Sequence, residues 1–305
     1  MTQLRDDIER SDRPSAFAAD PAAATVVRTP RDGPWVQFRG NWAAMFGLLL
    51  LTGIVTVSII GPWIYSVSPS QIVARPRSAP SMDHPFGVDY LGRDVLAGVI
   101  HGGRVTLLVG MIAGLASALI GVLIGSVAGY FGGIVDSGLS RIIEFFQVLP
   151  ALLFAITLVA LWTPSTRIVI FAIATVTWTS TARLARSEFI RLRSMDYVRA
   201  ARVMGAGDVR IMTRLVLPNA MPTLIVSTTM VIGVAILFEA SLAFLGLTDP
   251  NVTSWGYMIG ASRPFLLDTW WAITYPGLVI FLTVLAVSLV GDGLNDALNP
   301  RLRRR

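Results

Sequence analysis

Apolar residues run along this chain in six long blocks, separated by segments in which arginine, aspartate, glycine and proline gather. The blocks extend from Ala43 to Ile64, Arg104 to Tyr130, Ile142 to Trp162, Ile168 to Leu184, Leu217 to Leu245 and Ala272 to Val290. Crossing a hydrocarbon core of roughly 30 Å takes about 20 apolar residues in a helix, because lipid satisfies none of the backbone's polar groups. Each block meets or nearly meets that length, so the pattern predicts an all-α membrane protein with six transmembrane helices. Residues 1–40 break the pattern. They are polar and rich in Arg, Asp, Ala and Pro, which predicts a disordered cytoplasmic tail. The first apolar run begins late and is long enough to span, unlike the short core of a cleavable signal peptide.

Composition agrees with life in lipid: 53% of residues are hydrophobic and 14% charged, with a mean hydropathy of +0.64. There is no cysteine, which excludes disulfides and thiolate metal sites, and two histidines leave little for metal catalysis. All 25 basic residues are arginine. A phosphate-binding P-loop uses a lysine to reach the β- and γ-phosphates, so this chain has no such site and any ATP energy comes from a partner. The isoelectric point near 10.4 points, in a membrane protein, to anionic lipid head groups rather than nucleic acid. With both termini inside, nineteen arginines fall on the cytoplasmic side and six outside, the asymmetry that the positive-inside rule requires. Residues 65–103 and 247–271 are then the long external segments.

The second block carries Gly110, Gly114, Gly121, Gly125 and Gly129, most of them four apart, which leaves one smooth helix face. Such a face serves either ordinary helix packing or the lining of a conduit or dimer seam. Among ionisable residues inside the blocks, Glu239 stands out as a functional candidate. It lies roughly 32 Å along its helix from Pro218, near the external face, where a gate or a contact to a docked protein competes with a hydrogen-bonded packing role. Glu144 follows Arg141 by one turn, which predicts an i to i+3 ion pair. Asp292, between Gly291 and Gly293, is expected to shape the end of the sixth helix. His84 and His101 are external and lack ligand spacing, which favours structural roles.

Between the fourth and fifth blocks runs an arginine-rich loop, Ser194 to Asp208. Ser194 or Asp196 can cap a short helix there, Ala200 and Ala201 favour it, and Gly205 or Gly207 can end it in a left-handed cap. The small alanines would let a partner's groove approach the backbone, with flanking arginines fixing register. The plain alternative is a solvated basic loop that only enforces topology.

Ala200-Ala201, three residues, Gly205, nine residues and Leu215-Val-Leu-Pro218 together resemble the cytoplasmic signature of bacterial ABC importer permeases. Arg199 stands where that family has Glu, and Leu215 where it has Ile. His84-Pro-Phe-Gly-Val-Asp-Tyr-Leu-Gly-Arg-Asp-Val95, Gly129-Tyr-Phe-Gly-Gly-Ile-Val-Asp136, Glu239-Ala-Ser-Leu-Ala-Phe-Leu-Gly246, Thr253-Ser-Trp-Gly256 and Gly291-Asp-Gly-Leu-Asn-Asp-Ala-Leu-Asn-Pro300 narrow the resemblance to the C-type permease of dipeptide, oligopeptide and nickel uptake systems. The resemblance implies a type I ABC importer permease fold in the bacterial inner membrane, with both termini cytoplasmic. It divides the chain into the tail (1–40), a first transmembrane helix with its external loop (41–103), a five-helix core (104–295) and a basic terminus (296–305). Within the core, a coupling helix at about 194–207 would dock on the ATPase through Asp196, Tyr197, Arg199, Ala200, Ala201, Met204, Gly205 and Pro218. The implied partners are a homologous B-type permease, two ATP-binding subunits that hold ATP and Mg, an extracytoplasmic solute-binding protein and membrane lipid. No cofactor, metal or catalytic residue is expected in this chain. Peptides are the expected cargo, with nickel chelates, haem-like or glutathione-like compounds as alternatives. A stand-alone secondary transporter would call for inverted repeats and charges near the midplane. An intramembrane enzyme lacks a serine–histidine pair at one depth, and a pure scaffold would have no use for the motifs.

Overall fold

The computed structural model describes residues 34–298. Among these residues there are helices and loops, with two isolated antiparallel bridges, Ile72–Arg93 and Val88–Asp94, and no strand. The helices are α1 (Pro34–Gly40), α2 (Trp42–Ile64), α3 (Val95–Phe131), α4 (Gly133–Val148), α5 (Ala151–Ala160), α6 (Thr166–Arg193), α7 (Asp196–Val203), α8 (Asp208–Phe244), α9 (Trp255–Ser262) and α10 (Trp271–Leu298). Five of them, α2, α3, α6, α8 and α10, are long and apolar enough to cross a membrane, and α4 with α5 make a sixth unit bent by 85°.

That bend corrects the straight third helix expected over 142–162. Pro150 has no amide hydrogen, and its ring forces Leu149 out of the helical region to ψ 130°. Hydropathy continues across the break, so an apolar run alone does not reveal it. α3 begins at Val95 rather than Arg104, because the Asp94 side chain accepts the amide of Ala97 at 2.9 Å and opens the helix there. Residues 95–103 therefore belong to a helix and not to the preceding loop. α6 runs on to Arg193, so Arg183, Arg186, Arg191 and Arg193 lie on its last turns and not in the loop. α8 starts at Asp208 and passes Pro218 by a π turn over Met212–Val216, in which the Leu217 amide reaches back to the Met212 carbonyl. α10 continues through Asp292 to Leu298, so Asp292 does not mark its end. Of the expected tail, residues 34–40 are helical, with Phe38 buried against α10 through Gly293; residues 1–33 and 299–305 lie outside the described residues.

α3 is the axis of the bundle. A β-carbon at Gly121 would stand 2.6 Å from the Trp178 carbonyl of α6, and Gly125 and Gly129 meet the backbone of Ala182 and Arg186 just as closely. Higher on the same helix, Gly110 and Gly114 admit Ile236 and Ile232 of α8. The glycine face is thus a packing seam inside this subunit. Close backbone approach maximises dispersion contact where lipid offers no hydrophobic drive between helices. The loop after α2 is pinned to the start of α3 by one buried carboxylate. Tyr65 Oη donates to Asp94 Oδ2 at 2.8 Å, and His84 Nδ1 lies 2.8 Å from the same oxygen. Burial first, and this bond second, push the Tyr65 phenol up to about 12.

Candidate functional site

The bundle has two candidate sites: the short helix α7 at its arginine-rich end, and the carboxylate of Glu239 near the other end. α7 has two turns, opens at Met195 without a side-chain cap, and carries Asp196 in its first turn and Arg202 in its last. Neither Ser194 nor Asp196 caps it. Its end follows the expected left-handed geometry. Gly205 has φ +82°, its amide bonds the Arg202 carbonyl at 3.0 Å, and the Ala206 amide bonds the Ala201 carbonyl at 3.1 Å.

Spacing of three puts Val198 and Ala201 on one face, and both are buried in a cluster with Tyr130, Phe189, Leu192, Ile211 and Val216. Ala201, expected at a partner's surface, is therefore turned into this chain's own core, 8% exposed. The outward side carries Asp196, Tyr197, Arg199, Ala200, Met204 and Gly205, all exposed, and Pro218 is exposed on α8 just past its π turn. Val203 at 88% exposure, Met204 at 80% and Val209 at 67% form an apolar edge beside the arginines. Val203 and Val209 were not among the expected contact residues; only the tertiary fold shows which apolar residues of so short a helix face outward.

The platform under α7 is tied by polar bonds. Tyr130 Oη at the end of α3 donates to Asp208 Oδ1 at 2.8 Å, and Arg202 Nη2 stands 3.8 Å from the same oxygen. Arg193 Nη1 donates to the Tyr130 carbonyl at 2.9 Å, satisfying a helix-terminal acceptor. Arg186 of α6 grips Asp136 of α4 through both carboxylate oxygens, with Nη2 donating to Oδ2 at 2.7 Å. On its other side α7 borders a cavity of 530 Å³ whose lining includes Tyr197, Glu188, Arg191, Asn219 and Asn295.

Glu239 is 1% exposed and lies beneath the start of α9. Its polar neighbours are the hydroxyls of Ser254 and Thr106, yet neither carboxylate oxygen attains hydrogen-bond geometry with them. Thr106 accepts instead from the Trp255 amide at 3.3 Å. The carboxylate lines a small cleft with Thr166, Thr248, Asp249 and Ser254, with room for about one water molecule. So enclosed a group offers no surface to a docked protein in this conformation. The pair expected between Arg141 and Glu144 is absent, both side chains being exposed; Glu144 lies in the field of Arg186.

Residues 121–304 match the family described as binding-protein-dependent transport system inner membrane component, and residues 31–80 match the N-terminal TM domain of oligopeptide transport permease C. The chain belongs to this permease family. Relatives extend the match over most of its length. The dipeptide transport system permease protein DppC of Bacillus subtilis is 40% identical, over 88% of this chain and 85% of that protein. DppC of Escherichia coli is 39% identical, over 92% of this chain and 97% of that protein. In the solved structures, a chain of the inward-facing MetNI methionine ABC transporter superposes with a TM-score of 0.56 at 17% identity, covering 66% of this chain and 96% of that one. The permease therefore has the type I ABC importer permease fold and is of the C type. Its family is a transport component of bacterial membranes and not itself catalytic. ATPase and permease partners follow from that role. α7 and its stop hold the Ala-Ala and Gly of the motif, its Pro lies on α8, and Glu239 stands at the far end of α8.

Proposed function

We propose that this permease forms half of the translocation pathway of an ATP-driven peptide importer and takes up force through α7. The observation that carries the reading is the two-sided construction of that helix. Val198 and Ala201 root it in the ends of α3, α6 and α8, while Tyr197, Arg199, Ala200, Val203, Met204 and Gly205 face outward. A lever needs one face bonded to its own bundle and another free for a partner. In this reading two ATP-binding subunits hold ATP and Mg, one of them docks on α7, a homologous B-type permease completes the pathway, and an extracytoplasmic binding protein delivers cargo at the opposite end. Closure of the ATPase dimer then moves the helix, and with it α6 and α8, as rigid bodies between inward and outward arrangements. Peptides are the proposed cargo because the relatives named for a substrate are dipeptide, di/tripeptide or peptide permeases. The arginine distribution supports placing α7 and both termini in the cytoplasm.

The test is to tag the chain at its carboxyl end, extract it gently and measure vanadate-sensitive ATPase activity in the purified material. Co-purifying activity that dipeptides and a binding protein stimulate supports the reading. A chain that purifies alone, under conditions that keep a known importer intact, refutes it.

A further inference from the structure

We propose that the groove between α2, α3, α8 and α10 holds an anionic phospholipid, with its acyl chain against the apolar walls and its phosphate on Arg104. The groove has a volume of 610 Å³, and its lining is almost wholly hydrocarbon: Leu51 and Val55 of α2, Leu108 and Met111 of α3, Ile232 of α8 and Val287 of α10 among others. Arg104 is the single charged residue in that lining.

The polar end is built by a proline. Pro62 lies inside α2 and has no amide hydrogen, which deprives the Ser58 carbonyl four residues earlier of its helical donor. Arg104 of α3 fills that vacancy: Nε donates to the Ser58 carbonyl at 3.0 Å and Nη2 to the Ile59 carbonyl at 2.5 Å. A guanidinium has five N–H donors, so about three remain. No carboxylate pairs with Arg104 among the described residues, and the side chain is exposed. Its carbon Cζ also stands 5.9 Å from the ring centre of Trp63. An exposed tryptophan over an arginine at the end of an apolar run is the arrangement expected at a membrane–water boundary. An unpaired cation there, already oriented by two carbonyls, is complementary to a phosphate.

The groove runs from that cation along an apolar wall, as a lipid does from its phosphate. α2 touches α10 through Gly47 at Leu289 and α3 through Gly61 at Ile100, so Leu51 and Val55 stand over the groove between two fixed contacts. From Arg104 to Ile112 the groove follows α3 for roughly 12 Å. Side chains of four helices wall it with hydrocarbon along that length, and the one cation stands at its end, the layout of an acyl chain under a phosphate. Leu108, Met111 and Ile112 remain about half exposed along it.

The test uses the assembled complex in detergent, titrated with phosphatidylglycerol or phosphatidylcholine of identical chains and read by native mass spectrometry. The wild type is expected to retain one phosphatidylglycerol per copy of this chain beyond what phosphatidylcholine gives. Arg104→Gln should weaken that retention about fivefold and erase the preference, and Arg104→Lys should restore most of it. Leu108→Trp, which fills the groove and leaves Arg104 in place, should lose both lipids. Full retention by Leu108→Trp, or equal retention of the two lipids by the wild type, would overturn the proposal. The chain has no cysteine, so a photo-crosslinker can be placed on Leu108→Cys alone. Labelling of lipid supports the site, whereas labelling of the partner permease overturns it and assigns the groove to the subunit interface.

Discussion

Gly205 ends α7 at φ +82°, with no atom close enough to obstruct a side chain. The position is demanding because of backbone conformation and whatever docks there, and not because of crowding in the subunit. Gly205→Ala should therefore cost about 1–2 kcal/mol locally, leave the complex assembled, and separate ATP hydrolysis from transport. Gly246 has a similar φ of +76° and equally open surroundings, but lies at the opposite end of α8. Gly246→Ala carries the same strain and is expected to leave coupling ratios unchanged, so parallel transport and ATPase assays of the two variants separate strain from docking. Glu239 presents the converse situation. Its surroundings are closed and its oxygens lack partners. An uncharged amide of the same shape removes the cost of holding a carboxylate out of water, so Glu239→Gln should raise the stability of the complex by about 1–3 kcal/mol. Glu239→Ala should lower it by leaving a void. Thermal inactivation of the purified complex measures both. A loss of stability with Gln would mean that the carboxylate meets a positive charge in the assembly.

At the level of elements, the packing depends on where helices lack side chains and where they lack amides. The α3–α6 seam brings backbones together at Gly121, Gly125 and Gly129. Gly125→Val would drive a branched side chain into the Ala182 carbonyl, and the expected cost is at the upper end of overpacking, about 3 kcal/mol. Membrane levels of the variant and its resistance to protease provide the measurement. Four-residue glycine spacing marked this face, but spacing does not say whether the opposing surface is the same chain, a partner or a channel. The three prolines at 62, 150 and 218 have different outcomes. Pro150 breaks its segment by 85°, Pro218 is absorbed by a π turn, and Pro62 leaves a carbonyl that Arg104 takes up. Hydropathy averages over all three. The choice among them depends on whether a neighbouring donor, a widened turn or no compensation at all is available, and that is a property of the packed bundle.

For the whole molecule, the proposed function requires the arginine-rich end to lie in the cytoplasm. Because the chain has no cysteine, single cysteines at Met82, Val203 and Leu267, all of them highly exposed, report orientation directly. In intact cells stripped of their outer membrane, a membrane-impermeant maleimide is expected to label positions 82 and 267 and spare 203, with the pattern reversed in inverted vesicles. Labelling of 203 from outside would invert the topology and remove α7 from reach of any ATPase. The amino-acid sequence by itself determined that the chain belongs in lipid, the count of apolar segments, a left-handed stop at Gly205 or Gly207 and the motifs that place the chain among C-type permeases. Each of these depends on local composition, on one residue's backbone freedom or on spacing along the chain. Tertiary structure alone decided that Ala201 faces inward and Val203 outward, that the glycine seam is internal, that the third segment is bent, and that Glu239 is sealed beneath α9. These depend on which surfaces of distant segments meet. Burial, the satisfaction of a freed carbonyl and the fit of backbone against backbone are energies of contact, and contact is defined only once the helices have packed.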